Sequence, residues 1–132
     1  MIAIFQASTS KTHNCMNAIE LISIPVTDQQ VAKEFYIKFG FTLMMENPFQ
    51  GESKWIQLGL PGGGTSITLV NWFPNLTPGC IQGFVIKCDD LDSTISELEA
   101  KGITVGNADK TPWGRFATVK DPDGNSWSLH GK

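Results

Sequence analysis

The chain has 132 residues, 41% of them hydrophobic and 17% charged, a composition that fits one soluble globular domain. Its net charge of −3 and its scattered lysines and arginines argue against nucleic acid as a partner and favour a cationic or neutral small molecule. No stretch approaches the roughly twenty apolar residues that span a bilayer, so no membrane anchor is expected. Three cysteines, Cys15, Cys80 and Cys88, form no C-x-x-C pair and indicate a reducing cytoplasm.

Residues 1–15 are predicted to form a flexible extension, because residues 6–14 are polar and no apolar segment long enough for a secretion signal precedes them. We expect the folded domain over 16–132. It divides into two units, at 17–73 and 80–131.

The first unit begins with a strand at 19–26 that is rich in Ile and Val. Asp28 then starts a helix that Gly40 ends. Four apolar residues at helical spacing predict the buried face of this helix: Val31, Ala32, Phe35 and Phe39. Three further strands are expected at 41–46, 54–60 and 65–70.

A connection at 71–79, rich in Pro, leads into a second unit of the same plan. A strand at 81–88 precedes a helix that Asp90 or Asp92 caps and Gly102 ends. Later strands are predicted to open at 103–105 and to cover 115–120 and 126–130.

The two halves of the sequence are internal repeats. Asp28 lies twelve residues before Gly40, and Asp90 lies twelve residues before Gly102. Each half therefore predicts one β-α-β-β-β unit, and two such units make an α+β domain. We expect the chemistry of the protein to lie between the halves.

This doubled unit, with Asp-Pro-Asp-Gly-Asn at 121–125, resembles the vicinal oxygen chelate superfamily, which includes glyoxalase I, extradiol dioxygenases, fosfomycin-resistance enzymes and bleomycin-resistance proteins. The segments at 24–28, 35–41 and 88–92 carry the resemblance. The run at 112–115 that leads into 121–125 is particularly similar to the bleomycin-resistance branch. The resemblance implies two tandem units that form a curved mixed sheet around a ligand-binding cleft.

In the enzymes of this superfamily, His, Gln or Glu side chains at equivalent strand positions hold a divalent metal. The resemblance places Leu21, Thr68, Gly83 and Ser128 at those positions. Leu and Gly have no side-chain donor, and hydroxyl groups are poor ligands, so we predict no metal, no cofactor and no metal-dependent catalysis there. His130 follows Ser128 by two residues and is expected on the same side of its strand, as a rim residue without co-ligands.

Aromatic residues are the remaining candidates for ligand binding. Trp72 and Trp113 lie in connections rich in Pro and Gly, where a flat ring can stack on a planar or cationic ligand. The resemblance places Trp113 and Arg115 at the mouth of the cleft, with Phe49 and Trp72 as walls. A cap over the sheet edge or a subunit contact is an equally weighted alternative for each Trp, and two of them, Trp55 and Trp127, are expected to pack inside their strands.

The sequence therefore predicts a cytoplasmic, metal-free homodimer that binds a small organic molecule in an aromatic cleft, for sequestration or antibiotic resistance. Catalysis is not expected. The alternative is a lyase, isomerase or dioxygenase of the glyoxalase type with unusual metal ligands. A third hypothesis is a domain that mainly mediates association.

Overall fold

The computed structural model describes residues 15–132, so the predicted extension at 1–15 lies outside the described residues except for Cys15. The helices and strands follow one another as β1 (Leu21–Pro25), α1 (Gln29–Phe39), β2 (Thr42–Pro48), β3 (Lys54–Gly59), β4 (Ser66–Val70), β5 (Phe84–Lys87), α2 (Leu91–Ala100), β6 (Asp109–Thr111), β7 (Gly114–Lys120) and β8 (Ser126–Gly131). Within the described range, no helix combines the length and apolar composition that a bilayer crossing requires.

The strands form two four-stranded mixed sheets, in the orders β1-β4-β3-β2 and β5-β8-β7-β6. In each sheet the first strand of the unit is parallel to the last, and the remaining pairs are antiparallel. The predicted α+β fold of two β-α-β-β-β units is thereby confirmed.

The prediction that a strand opens at 103–105 is wrong, because residues 103–105 are not in a strand. The Ile103 N–H donates to the Leu98 carbonyl, which ties this segment to the end of α2, and the Ile103 side chain is buried. Only at Gly106 does the chain bond to β7, through the Thr118 carbonyl, and β6 follows later.

Both helices begin at the predicted aspartates. The Asp28 carboxylate accepts hydrogen bonds from the N–H groups of Gln30 and Val31, and the Asp90 carboxylate accepts one from Ser93. Such caps satisfy backbone donors that have no partner within the helix. The cap of α2 is therefore Asp90 and not Asp92.

The buried face of α1 differs from the predicted one. Ala32, Tyr36 and Phe39 are buried, whereas Phe35 is half-buried and Val31 is 46% exposed. Apolar spacing favoured Val31 over Tyr36, but the Tyr36 hydroxyl finds hydrogen-bond partners inside the protein, which makes its burial favourable.

Those partners belong to the second unit. The Tyr36 hydroxyl donates to Asp121 Oδ2 at 2.7 Å and accepts from Trp127 Nε1 at 2.9 Å. Burial, followed by the negative charge of Asp121, raises the pKa of Tyr36 far above its ordinary value. The rings of Tyr36 and Trp127 meet edge to face at a centroid distance of 6.0 Å. Helix α1 thus packs against its own sheet and against the second one.

The turn at 121–125 joins the units at the same place. The Asp121 carboxylate accepts hydrogen bonds from the backbone N–H groups of Asp123 and Asn125. The Asn125 side-chain amide donates to the Pro25 carbonyl at 2.8 Å, and its oxygen accepts from the Ile81 N–H at 3.1 Å. This buried network fixes how the two units are packed together.

Candidate functional site

Each sheet has one face covered by helices and one face that is open. In β8, Trp127 and Leu129 are buried on the covered side, while Ser128 and His130 between them are half-buried on the open side. In β3 of the first sheet, Ile56 and Leu58 are likewise buried, while Trp55 and Gln57 are half-buried. Within each sheet, the cross-strand register extends this division to the neighbouring strands. The first open face comprises Leu21, Ser23, Met44, Met45, Trp55, Gln57, Ser66 and Thr68. The second open face comprises Val85, Lys87, Phe116, Thr118, Ser128 and His130.

A row of polar side chains crosses the first open face. Thr68 pairs with Ser23 on one side and with Gln57 on the other. The hydroxyl oxygens of Ser23 and Thr68 are 3.4 Å apart, longer than a typical O–H···O hydrogen bond, although Thr68 is fully buried. The pair therefore has unused hydrogen-bonding capacity at the centre of the face.

Both the nitrogen and the oxygen of the Gln57 amide are hydrogen-bonded within the face. Its nitrogen donates to Ser66 Oγ at 2.8 Å, and its oxygen accepts from Trp55 Nε1 at 3.1 Å. The Gln57 side chain, which is anchored by Ser66, therefore holds the indole of Trp55 in one orientation.

An aromatic cluster of Phe49, Trp55, Trp72 and Phe73 lies at one end of this face. Phe49 contacts Trp72 and Trp55 at ring-centroid distances of 4.7 and 5.6 Å, and the two indoles stack at 6.3 Å with their planes 24° apart. The structure thus brings the predicted Phe49 and Trp72 together and adds Trp55, which was expected to pack inside its strand. Its alternation with the buried Ile56 and Leu58 was the signal that could have found it.

Two methionines lie on the other side of Gln57. The register of β2 and β3 shifts between Leu43 and Met45, so Met44 is an extra residue in a β-bulge. Met44 and Met45 are 60% and 46% exposed. Methionine adapts its shape easily, so this part of the face is more deformable than the aromatic cluster.

The second open face has a different character. The His130 ring stacks on Phe116 at 4.4 Å, and His130 Nε2 lies 2.7 Å from the carbonyl oxygen of Trp113. Trp113 is 78% exposed in the turn between β6 and β7. Gly114 allows this close packing: its φ is 121°, and a Cβ there would lie 2.8 Å from His130 Nε2.

Arg115 does not lie on the open face. It shares a side of β7 with the buried Ala117 and Val119, and its guanidinium binds both carboxylate oxygens of Asp92 at 3.0 Å. This ion pair lowers the pKa of Asp92. Strand alternation turns the Arg115 side chain towards α2, away from the position at the cleft mouth that the resemblance implied.

The positions that the resemblance assigned to metal ligands are split between the sheets. Leu21 and Thr68 belong to the first sheet, Ser128 lies in β8, and Gly83 comes just before β5. A hydrocarbon, a residue without a side chain and two hydroxyls do not fit a catalytic metal. Residues 15–132 also contain no cluster of three or more His, Cys, Asp or Glu side chains placed to bind one.

A cysteine and a histidine, the usual nucleophile and base of a thiol enzyme, lie close together at Cys88 and His130. The Cys88 N–H donates to the His130 carbonyl, so the residues are neighbours through their backbones. Burial raises the pKa of the Cys88 thiol, which disfavours the reactive thiolate.

The chain matches the family model of the Glyoxalase/Bleomycin resistance protein/Dioxygenase superfamily over residues 18–129 and belongs to that superfamily. It is similar to the crystal structure of TnmS3, an antibiotic binding protein from Streptomyces sp. CB03234, with 39% identity and a TM-score of 0.83 over 89% of this chain and 98% of that one. A glyoxalase/bleomycin resistance protein from the same organism is also 39% identical, with a TM-score of 0.77 over 86% of this chain and 100% of that one. The uncharacterized protein YetH of Bacillus subtilis (strain 168) is 29% identical over 117 residues, which are 84% of this chain and 95% of YetH.

Proposed function

We propose that this protein binds a small planar or cationic organic molecule in an aromatic cleft and holds it unchanged, as a sequestration or resistance protein of the cytoplasm. The observation that carries the proposal is the aromatic cluster beside the polar row of the first open face. The similarity to TnmS3, whose name describes antibiotic binding, supports a small-molecule ligand.

Stacking on an exposed ring face contributes about 0.5–2 kcal/mol per aromatic residue. The paired indoles of Trp55 and Trp72 offer such faces without further ordering, because Gln57 and Phe49 already hold them. The half-buried Ser23 hydroxyl then sets the orientation of the ligand, since a polar ligand atom beside it completes its hydrogen bonding, while Thr68 lies fully buried behind it.

The second wall of the cleft is proposed to come from a second copy of the chain. Because the covered faces of both sheets share the contact between Tyr36 and Trp127, the open faces point away from that common core. Strands β1 and β5 are both edge strands. A twofold dimer, the commonest oligomer, can bring the first open face of one protomer to the second open face of its partner. That cleft contains Leu21, Thr68, Gly83, Ser128, His130, Phe49, Trp72 and Trp113.

Ligand binding is tested by a thermal-shift screen against planar antibiotics, thiols and keto-aldehydes, followed by titration calorimetry of each hit. We expect a planar compound to raise the melting temperature and to be recovered unchanged by mass spectrometry. Conversion of the compound, together with a stoichiometric divalent metal and loss of activity with chelator, would favour the glyoxalase-type enzyme instead. No hit among planar compounds would contradict the proposal.

The shared cleft has a sharper test, in which Trp72→Ala and Trp113→Ala are made in separate chains. Each variant alone is expected to bind the ligand roughly tenfold more weakly, because one stacking surface is lost. If a cleft uses Trp72 of one protomer and Trp113 of its partner, mixing the unfolded chains and refolding them restores one intact cleft in every heterodimer. A mixture that binds no better than its components would exclude the shared cleft. A cleft formed within one chain would still be compatible with that result.

A further inference from the structure

A groove of about 670 Å³ lies outside the first open face, between α1 and the segment that follows α2. Val31, Phe35 and Lys38 line it from α1, and Ile103, Lys120 and Pro122 line it from the second unit. Its volume is within the roughly 300–1,000 Å³ of small-molecule sites. One lining residue, Thr118, belongs to the second open face, but none belongs to the first open face, where the aromatic cluster lies, so the ligand of the groove need not be the ligand of the cleft.

The walls of the groove are largely apolar. Because Tyr36 occupies the core, the neighbouring stripe of α1 is left outside it, with Val31 46% exposed and Phe35 half-buried. Opposite this stripe lie Ile103, which is buried, and Pro122. A ligand that covers these side chains removes apolar surface from water at about 25 cal/mol per Å².

Lysines give the groove a positive charge, in contrast to the chain as a whole, which carries −3. Lys38 and Lys120 line it, and Lys101 Nζ donates to the Lys38 carbonyl at 3.3 Å, which places a third ammonium nearby. Neither Lys38 nor Lys120 takes part in an ion pair among residues 15–132. One acidic residue, Glu34, lines the groove, and its carboxylate accepts a hydrogen bond from Gln30 at 2.8 Å.

We infer that this groove is a second binding site, for an amphipathic organic anion. The apolar body of the ligand lies along Val31 and Phe35, and its carboxylate or sulfonate group interacts with Lys38 and Lys120. The site differs from the cleft in chemistry, because the cleft offers aromatic faces and neutral hydrogen-bonding groups.

The test is calorimetric titration of the full chain with decanoate and, for comparison, with the uncharged decanol. We expect decanoate to bind and the double variant Lys38→Glu/Lys120→Glu to bind it at least roughly tenfold more weakly, since a reversed charge repels the carboxylate. The matched control, Lys110→Glu/Lys132→Glu, makes the same change in net charge away from the groove and is expected to bind normally. Circular dichroism verifies that both variants fold.

Two further variants separate this site from the cleft. Val31→Ser removes apolar contact and is expected to weaken decanoate binding, whereas Trp72→Ala is expected to leave it unchanged. Failure of wild-type protein to bind decanoate, equal affinity in the Lys38→Glu/Lys120→Glu variant, or loss of binding in Trp72→Ala would each overturn the inference. None of these outcomes bears on whether the cleft binds a planar ligand.

Discussion

The covered and open sides of the two sheets have diverged to different degrees. On the covered side, hydrophobic residues occupy equivalent positions in both units, such as Leu69 in β4 and Leu129 in β8. On the open side, Ser23 in β1 corresponds to Val85 in β5, and Gln57 in β3 corresponds to Thr118 in β7.

The difference follows from what each side has to do. A covered side contributes to stability only if it excludes water, which restricts it to apolar residues and to fully bonded polar ones such as Asn125. An open side has no such restriction and can specialise. Changes on the covered side should therefore affect the folding of the whole molecule, and changes on the open side should affect binding alone.

The largest effect is expected at Asp121. Replacement by Ala leaves the Tyr36 hydroxyl, the Asn125 side chain and two backbone N–H groups without their buried acceptor, and we expect the free energy of unfolding to fall by about 3–5 kcal/mol. Asp123→Ala, which removes only the bonds to the exposed Thr27 N–H, is the control and should cost about 1 kcal/mol. Urea unfolding measures both. Equal losses would show that the buried network is not what joins the units.

Tyr36 makes the stability of the same interface depend on pH. Its raised pKa means that the folded protein keeps the phenol proton, whereas an unfolded tyrosine ionises near pH 10. The stability that Tyr36 contributes is thus complete below about pH 10 and falls by about 1.4 kcal/mol per pH unit above it. Because Tyr36 is the one tyrosine in the sequence, tyrosinate absorbance reports on it directly. The absorbance should appear only as the protein unfolds, and Tyr36→Phe should lose this dependence; a tyrosinate signal from folded protein would contradict it.

On the open side, Trp72→Ala is expected to weaken binding of a planar ligand by about 1–2 kcal/mol, or roughly tenfold, because a stacking surface is lost. Its effect on the free energy of unfolding should be smaller than that of Asp121→Ala. Calorimetry and urea unfolding of the same sample separate the two quantities. If the Trp72→Ala variant loses stability but keeps its affinity for the ligand, Trp72 contributes to folding and not to binding.

Gln57 acts on the ligand through Trp55 and is a positioning residue. Gln57→Leu removes the acceptor for Trp55 Nε1, and we expect a loss of affinity of a few-fold as the indole becomes free to turn. The stacked indoles of Trp55 and Trp72 should give an exciton signal in circular dichroism, which weakens in the variant even without ligand. The exposed Gln50→Leu is the matched control. An unchanged exciton signal would show that Gln57 does not hold the ring.

The smallest effect on binding is expected at Arg115. Its guanidinium pairs with Asp92 on the covered side, so Arg115→Ala should leave the affinity for a planar ligand unchanged. Calorimetry against wild-type protein checks this. A large loss of affinity would mean that Arg115 leaves Asp92 to reach the ligand, as the family resemblance implied.

Much of the fold could be predicted because its signals are local. The caps Asp28 and Asp90 lie next to the helices that they start, and the repeat fixed the order of elements. Which stripe of α1 is buried could not be predicted in this way. Periodicity identifies a helix, but the choice of Tyr36 over Val31 depends on Asp121, 85 residues away.

The contacts among the candidate site residues could be anticipated only in part, for the same reason. Phe49 and Trp72 were singled out because loops rich in Pro and Gly make aromatic residues conspicuous, and the structure brings their rings into contact. Trp55 was expected to pack inside its strand, and the resemblance placed Arg115 at the cleft mouth, since residue type and local context were considered without strand alternation. Trp55 alternates with the buried Ile56 in β3, and Arg115 shares a side of β7 with the buried Ala117; these two patterns predict that Trp55 lies on the open face and Arg115 on the covered one. The contacts of Gln57 needed the three-dimensional register.

The packing of α1 against both sheets has a consequence for the history of the molecule. Helix α1 buries Tyr36 against Trp127 of the other half, whereas in the second half the hydroxyl group has no equivalent: Leu98 of α2 fills the corresponding position with a hydrocarbon. The duplicated halves are therefore no longer interchangeable, and neither would be a self-contained module. A chain made of one half would need a second copy of itself to cover that face, so the present chain makes within one polypeptide a contact that two separate halves would have to make by association.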